Sequence, residues 1–260
     1  MEKVHEIQYR IGVISDVHAN VKALEAVLRD GNKKGIDEWV CTGDLVNYGP
    51  RPSEVIEVVR CLGFTCVMGN RDWEAVSPAG EAGVVIPEGR NPDVEKAAFR
   101  WTRERLTEAD RRYLEALPAT VVKPVCSRRV AFFHGAPWSM YYYMSTVSIR
   151  ECIPRLTEQM QASAYCFGHT HIPFVLRGSG RLFVNAGSSG KPKDGDPRAC
   201  YAMLSFADTH GRGTGPESAE GIDAEIVRVE YDVDSVAGDM IARGLPEELA
   251  RALVTGRSVD

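Results

Sequence analysis

The stretch IGVISDVHAN, residues 11–20, is a run of small and β-branched apolar residues that stops at Asp16 and His18. A short apolar run of this kind predicts a buried strand, and a buried strand that ends in a carboxylate and an imidazole needs a reason. The same design recurs along the chain: EWVCTGD ends at Asp44, FTCVMGN at Asn70, RVAFFHG at His134, and AYCFGHTH at His169 and His171. Helical patterns lie between the early runs. Val21, Leu24, Val27 and Leu28 form one stripe within residues 20–34, and a second pattern covers residues 53–62. Alternation of this type predicts an α/β fold, in which the carboxyl ends of strands are where sites are built.

A longer helical region is expected over residues 93–117, with Val94, Ala98 and Trp101 on one face and a second start at Thr107 to Asp110. From RVAFF onward the chain turns strand-heavy, with AYCFG, RLFVN, CYAMLSF and AEIVRVEY separated by turn residues and one helix near 146–161. Two facing sheets would accommodate these runs. Residues 208–222 read as a polar, Gly-rich hairpin loop and residues 234–254 as a C-terminal helical segment. With no internal repeat and no linker, the expectation is a single domain over residues 1–260, its core at about 10–232.

Thirty-one basic against 36 acidic side chains leave a net charge of −5, so no global field favours nucleic acid or an anionic membrane. The charged start MEKVHEIQYR is not a secretory signal, and no apolar run is long enough to span a bilayer. Seven cysteines without a CxxC pair read as reduced core residues. Cytoplasm is the expected location.

The strand-end residues share a chemistry. Alternate side chains of an extended segment point the same way, so Asp16 with His18, and His169 with His171, can each close on one point. Four of the six histidines stand in these turns, beside two Asp and one Asn. Imidazole, carboxylate and amide donors without thiolate suit Mn²⁺, Fe, Zn²⁺, Co²⁺ or Ni²⁺. Seven groups exceed one ion's needs, and two ions sharing Asp44 as a bridge would use them all.

D-x-H, GD, GN, HG and GHTH in this order resemble the calcineurin-like metallophosphoesterase superfamily, over residues 11–206. SDVHANVKALEAVL, GDLVNYGPRPSEVIE and VNAGSSGKPKDGDPRACYAML are similar to its small prokaryotic phosphodiesterase branch, related to diadenosine tetraphosphate hydrolases. The resemblance implies a four-layer αββα sandwich of two mixed β-sheets flanked by helices. It also implies a first ion on Asp16, His18, Asp44 and His171 and a second on Asp44, Asn70, His134 and His169, with Mn²⁺ favoured. Two such ions, about 4 Å apart, would bridge and acidify a water for in-line attack on a small phosphate ester, a nucleotide or dinucleoside polyphosphate being one candidate. The alternative is a non-enzymatic interaction module on the same fold, as in one retromer subunit.

One residue departs from the pattern. Where the family reads GNH, this chain reads GNRD, placing Arg71 at the position of a histidine associated with leaving-group protonation or phosphate contact. Arginine is no acid near neutral pH, but its fork can hold two phosphoryl oxygens, the alternative being a surface salt bridge with Asp72. Asn20 is read as a phosphate contact or a helix cap. Lys191, Lys193 and Arg198 are read as a solvated loop or a basic rim, and the aromatic run PWSMYYYMS as a stacking platform or packing.

Overall fold

The computed structural model describes residues 7–86, 88–207 and 217–258. Most of the Gly-rich loop expected over 208–222 lies outside the described residues. The first run becomes strand β1 (Ile7–Ile14), followed by helix α1 (Val21–Lys34), β2 (Glu38–Cys41), α2 (Pro52–Cys61) and β3 (Thr65–Cys66). β1, β2 and β3 are parallel neighbours. Two late strands, β9 (Ala199–Ala207) and β10 (Ile222–Val229), extend this sheet antiparallel in the order β10-β9-β1-β2-β3. A second sheet runs β4 (Thr120–Val125), β5 (Arg128–Phe133), β6 (Ala164–Phe167), β8 (Arg181–Asn185) and β7 (Phe174–Gly178), with β5, β6 and β8 parallel and the two edges antiparallel.

The period of two along each strand sorts side chains into layers. Val13 and Phe132 enter the core shared by the two sheets, with Val40, Cys166, Val184 and Leu204. Their neighbours point outward: Ile14 packs with Leu24, Val27, Val55 and Ile56 of α1 and α2, whereas Phe133 joins Phe167 and Leu156 under helix α6 (Ile149–Met160). Helix, sheet, sheet and helix therefore stack as four layers. A further cluster joins α4 (Pro92–Arg105), α7 (Val233–Ala242) and α8 (Glu247–Thr255) around Tyr48.

One helical region splits at its expected second start, while the C-terminal segment and two edge strands differ from the sequence reading. The helical region over 93–117 is two helices, α4 and α5 (Glu108–Glu115), and Thr107 and Asp110 cap the second reciprocally, the Thr107 hydroxyl accepting from Asp110 N and the carboxylate from Thr107 N. The C-terminal segment also breaks in two, because Gly244 takes φ +81° and Pro246 follows before α8. Strands β4 and β7 were not expected. Both are sheet edges, where Pro124 or an interrupted apolar pattern costs no ladder.

Candidate metal centre

All seven predicted donors lie at the carboxyl ends of β1, β2, β3, β5 and β6. The turns that carry them are bonded directly to one another. Asp16 N donates to Gly43 O at 2.9 Å, His18 N to Asp44 O at 3.0 Å and Gly168 N to His134 O at 3.0 Å. Asp16 Oδ2 accepts from His169 N at 2.9 Å, which ties the first turn to the last. The backbone is strained to aim these groups: Asp16, His18, Asp44, His169 and His171 all have φ between 45° and 67°. Such conformations cost about 1–3 kcal/mol each and persist only where the surroundings over-determine them. Gly69 is required by proximity, since a Cβ there would run into the Asp44 carboxylate and backbone nitrogen.

Three imidazoles are oriented alike. Nδ1 of His18 lies 3.1 Å from Val46 O, that of His134 2.8 Å from Thr42 O and that of His171 2.5 Å from Lys191 O. Each carbonyl accepts the ring N–H, which leaves Nε2 as the nitrogen that faces the centre. There His18 Nε2 stands 3.2 Å from His171 Nε2, 3.7 Å from Asp16 Oδ1 and 3.8 Å from Asp44 Oδ2. His134 Nε2 stands 3.4 Å from Asp44 Oδ2, 3.1 Å from Asn70 Oδ1 and 3.1 Å from His169 Nδ1. Asp44 Oδ2 is common to both clusters, while its other oxygen accepts from Arg71 N at 2.8 Å.

The donors fit a metal. Lone pairs at van der Waals distance repel unless a cation lies among them, and Asp16 Oδ1 is buried without a hydrogen-bond partner. Burial, then His134, pushes His169 down to about 3, and burial with Lys193 pushes His171 down to about 4, so both rings are neutral and able to ligate. Burial also lowers His134, but the Asp44 carboxylate outweighs it and brings that ring up to about 9. Asp16 groups with Asp44 and His134 as well as with His18 and His171. It therefore stands closer to the second cluster than the division into two ligand sets implied.

Arg71 is not the surface salt bridge of its second reading, and Asn20 shows the helix cap of its two readings. Arg71 is buried and is not paired with Asp72. Its guanidinium donates to Glu74 Oε2 at 2.6 Å and Glu95 Oε2 at 3.3 Å, and lies 5.3 Å from the Tyr48 ring. The fork is thus already held by two carboxylates, although it still lines the cavity over the centre. Asn20 caps α1 through Ala23 N at 3.1 Å and spends its amide on Gly190 O and Tyr231 Oη, so it is a cap and a strap. Arg198 is exposed and pairs with Asp196, but Lys191 is 4% exposed, with Nζ 4.5 Å from the Tyr48 ring and no hydrogen-bond partner.

Two residues at the centre escaped the sequence reading. Asp72 is fully buried and accepts from Asp44 N and Leu45 N at 2.8 Å, Gly69 N at 3.1 Å and Val46 N at 3.2 Å. It fastens the Asp44 turn to the start of helix α3 (Asn70–Val76), which carries Asn70. Tyr48 packs edge-on against His18 at 5.0 Å and donates its hydroxyl to Glu95 at 2.5 Å. A capping acid three residues after Gly69 was the available signal for Asp72; Tyr48 had none.

The family model for the calcineurin-like phosphoesterase superfamily domain matches residues 9–209. The chain belongs to that superfamily. Within it, a metallophosphoesterase from Sphaerobacter thermophilus is 32% identical, with 95% of this chain and 99% of that one covered and a TM-score of 0.73. A hypothetical protein from Pyrococcus horikoshii shares the fold at 21% identity and a TM-score of 0.79, covering 96% of this chain and 100% of that one. A protein of Methanocaldococcus jannaschii, described as uncharacterized, is 28% identical over 273 residues, which is 96% of this chain and all of that protein. Superfamily membership and the clustered Asp and His donors support phosphoester hydrolysis with divalent metal. Among the described residues no helix is long and apolar enough to cross a membrane.

A larger groove of about 520 Å³ opens beside α1 and α7 and shares only Asn20 with the features above. Arg51 and Asp239 on its walls already pair with each other. The donors His18, Asp44, Asn70, His169 and His171 line a separate cavity of about 80 Å³.

Proposed function

We propose that this chain is a dinuclear metal-dependent phosphoesterase, one ion held by Asp16, His18, Asp44 and His171 and the other by Asp44, Asn70, His134 and His169. The observation that carries the reading is the position of Asp44 Oδ2, 3.8 Å from one inward Nε2 and 3.4 Å from another. A carboxylate between two imidazole clusters is suited to bridging two divalent ions, with Mn²⁺ favoured. When bound, the ions would supply an activated water and neutralise phosphoryl charge.

The chain's own residues do the remaining work. Backbone carbonyls fix the tautomers of His18, His134 and His171, Arg71 N holds the bridging carboxylate, and Asp72 holds its turn. Arg71 keeps its charge at neutral pH, so it provides positive field at the cavity wall and no proton for a leaving group. That role suits esters whose leaving groups carry negative charge well. The described chain works as one unit in this reading, because Tyr48 joins the centre to α4, α7 and α8. Cysteines scattered without a CxxC pair fit a reducing cytoplasm.

The test is chelator-reversible hydrolysis of 4-nitrophenyl phosphate and its methyl diester by the Mn²⁺-loaded protein and by Asp44→Asn. The wild type should hydrolyse at least one of them, and the variant should lose orders of magnitude in kcat while staying folded. Absence of metal-dependent hydrolysis of both esters by the folded wild type would support the interaction-module reading.

A further inference from the structure

The cavity over the centre is small and its walls are unequal. Its volume of about 80 Å³ is far below the roughly 300 Å³ at which pockets begin to enclose a drug-sized ligand. A phosphoryl group is the largest part of a substrate that it can surround, and any organic substituent must remain at the mouth. Beyond the metal donors the walls carry Arg71, Arg90 and Lys193. Lys191 lies just behind Tyr48, on the side of the ring that it contacts. Glu74 and Glu95 are the carboxylates that bond Arg71, and no ion pair among the described residues involves Lys193. Three cationic side chains on one wall complement an anion of more than one charge.

Among the described residues the mouth carries an apolar shelf. Tyr143 is 49% exposed, its ring centre 4.3 Å from that of His169, and Val85, 47% exposed, also lines the cavity. Of the neighbouring aromatics, Trp138 and Tyr142 pack on each other and Arg155 lies over Trp138.

We infer that the site selects a terminal, dianionic phosphate carrying a single flat organic group: the phosphate enters among Arg71, Arg90 and Lys193, and the group stacks on Tyr143 beside Val85. A phosphodiester brings one charge fewer and a second substituent, whereas the described lining offers one exposed aromatic ring, Tyr143. This rests on the phosphoesterase reading and narrows it to monoesters or terminal phosphoanhydrides of aromatic groups.

Three non-hydrolysable probes separate the parts: phenylphosphonate, its monomethyl ester, and methylphosphonate, each titrated calorimetrically into the Mn²⁺-loaded protein. Phenylphosphonate should bind roughly ten- to hundredfold more tightly than its methyl ester, the gain expected of a charge-assisted contact. It should bind roughly tenfold more tightly than methylphosphonate, the gain expected of one stacked ring. Lys193→Gln should shrink the first ratio and leave the second, and Tyr143→Ala the reverse. Equal binding of the dianion and its ester in the wild type, or a first ratio untouched by Lys193→Gln, overturns the inference. That failure is distinct from failure of the phosphoesterase reading, which shows as absence of metal-dependent hydrolysis of both 4-nitrophenyl esters.

Discussion

Replacing Asp72 by Asn keeps the side chain's shape and changes what it can accept. In the wild type one oxygen takes Leu45 N and Val46 N while the other takes Asp44 N and Gly69 N. An amide can present its oxygen to only one of these pairs, and its NH₂ then faces two N–H donors. Each buried donor left without an acceptor costs about 1–3 kcal/mol, so the substitution should cost about 2–6 kcal/mol. That is a large share of the roughly 5–15 kcal/mol that holds a domain folded. The damage should concentrate in the Asp44 turn and the start of α3, which Asp72 joins. Urea unfolding of metal-free wild type and Asp72→Asn measures the cost, and Mn²⁺ titration of the folded variant should show affinity lowered roughly 10–100-fold. A variant within about 0.5 kcal/mol of wild type, the range of ordinary surface changes, and with unaltered Mn²⁺ affinity would refute the positioning role.

Gly69→Ala places a methyl group against Asp44, so the turn must move; a loss of about 1–3 kcal/mol and weakened Mn²⁺ binding are expected, read by thermal unfolding and metal titration. Arg71→His leaves Glu74 and Glu95 buried without their cation, which should cost about 3–5 kcal/mol by urea unfolding. The same variant supplies an imidazole beside the cavity, so a series of phosphate esters should show rates that depend less steeply on leaving-group pKa than in the wild type; parallel slopes would mean that the residue plays no part in leaving-group departure. Phe132→Ala opens a void between the two sheets and should cost about 3–5 kcal/mol without changing metal stoichiometry.

The candidate donors were legible because each sits where a short apolar run stops, and the same design recurs at five places along the chain. The sheets were legible for the same reason, except at edges such as β4, where Lys123 and Pro124 interrupt the pattern that marks a central strand. Partnerships between distant segments were not legible. Nothing local shows that Arg71 will meet Glu95 24 positions away, that Asn20 will bond Gly190, or that Lys191 will be buried behind Tyr48. These contacts arise from loops brought together by the sandwich, and they decide what Arg71, Asn20 and Lys191 can do.

Counting bound metal decides whether Asp44 holds two ions at once. Purified protein saturated with Mn²⁺, freed of loose metal and analysed by elemental emission together with protein concentration should carry two ions per chain, and Asp44→Asn should carry no more than one. A folded wild type that binds one ion or fewer under saturating Mn²⁺, or an Asp44→Asn variant that still holds two, would contradict the account.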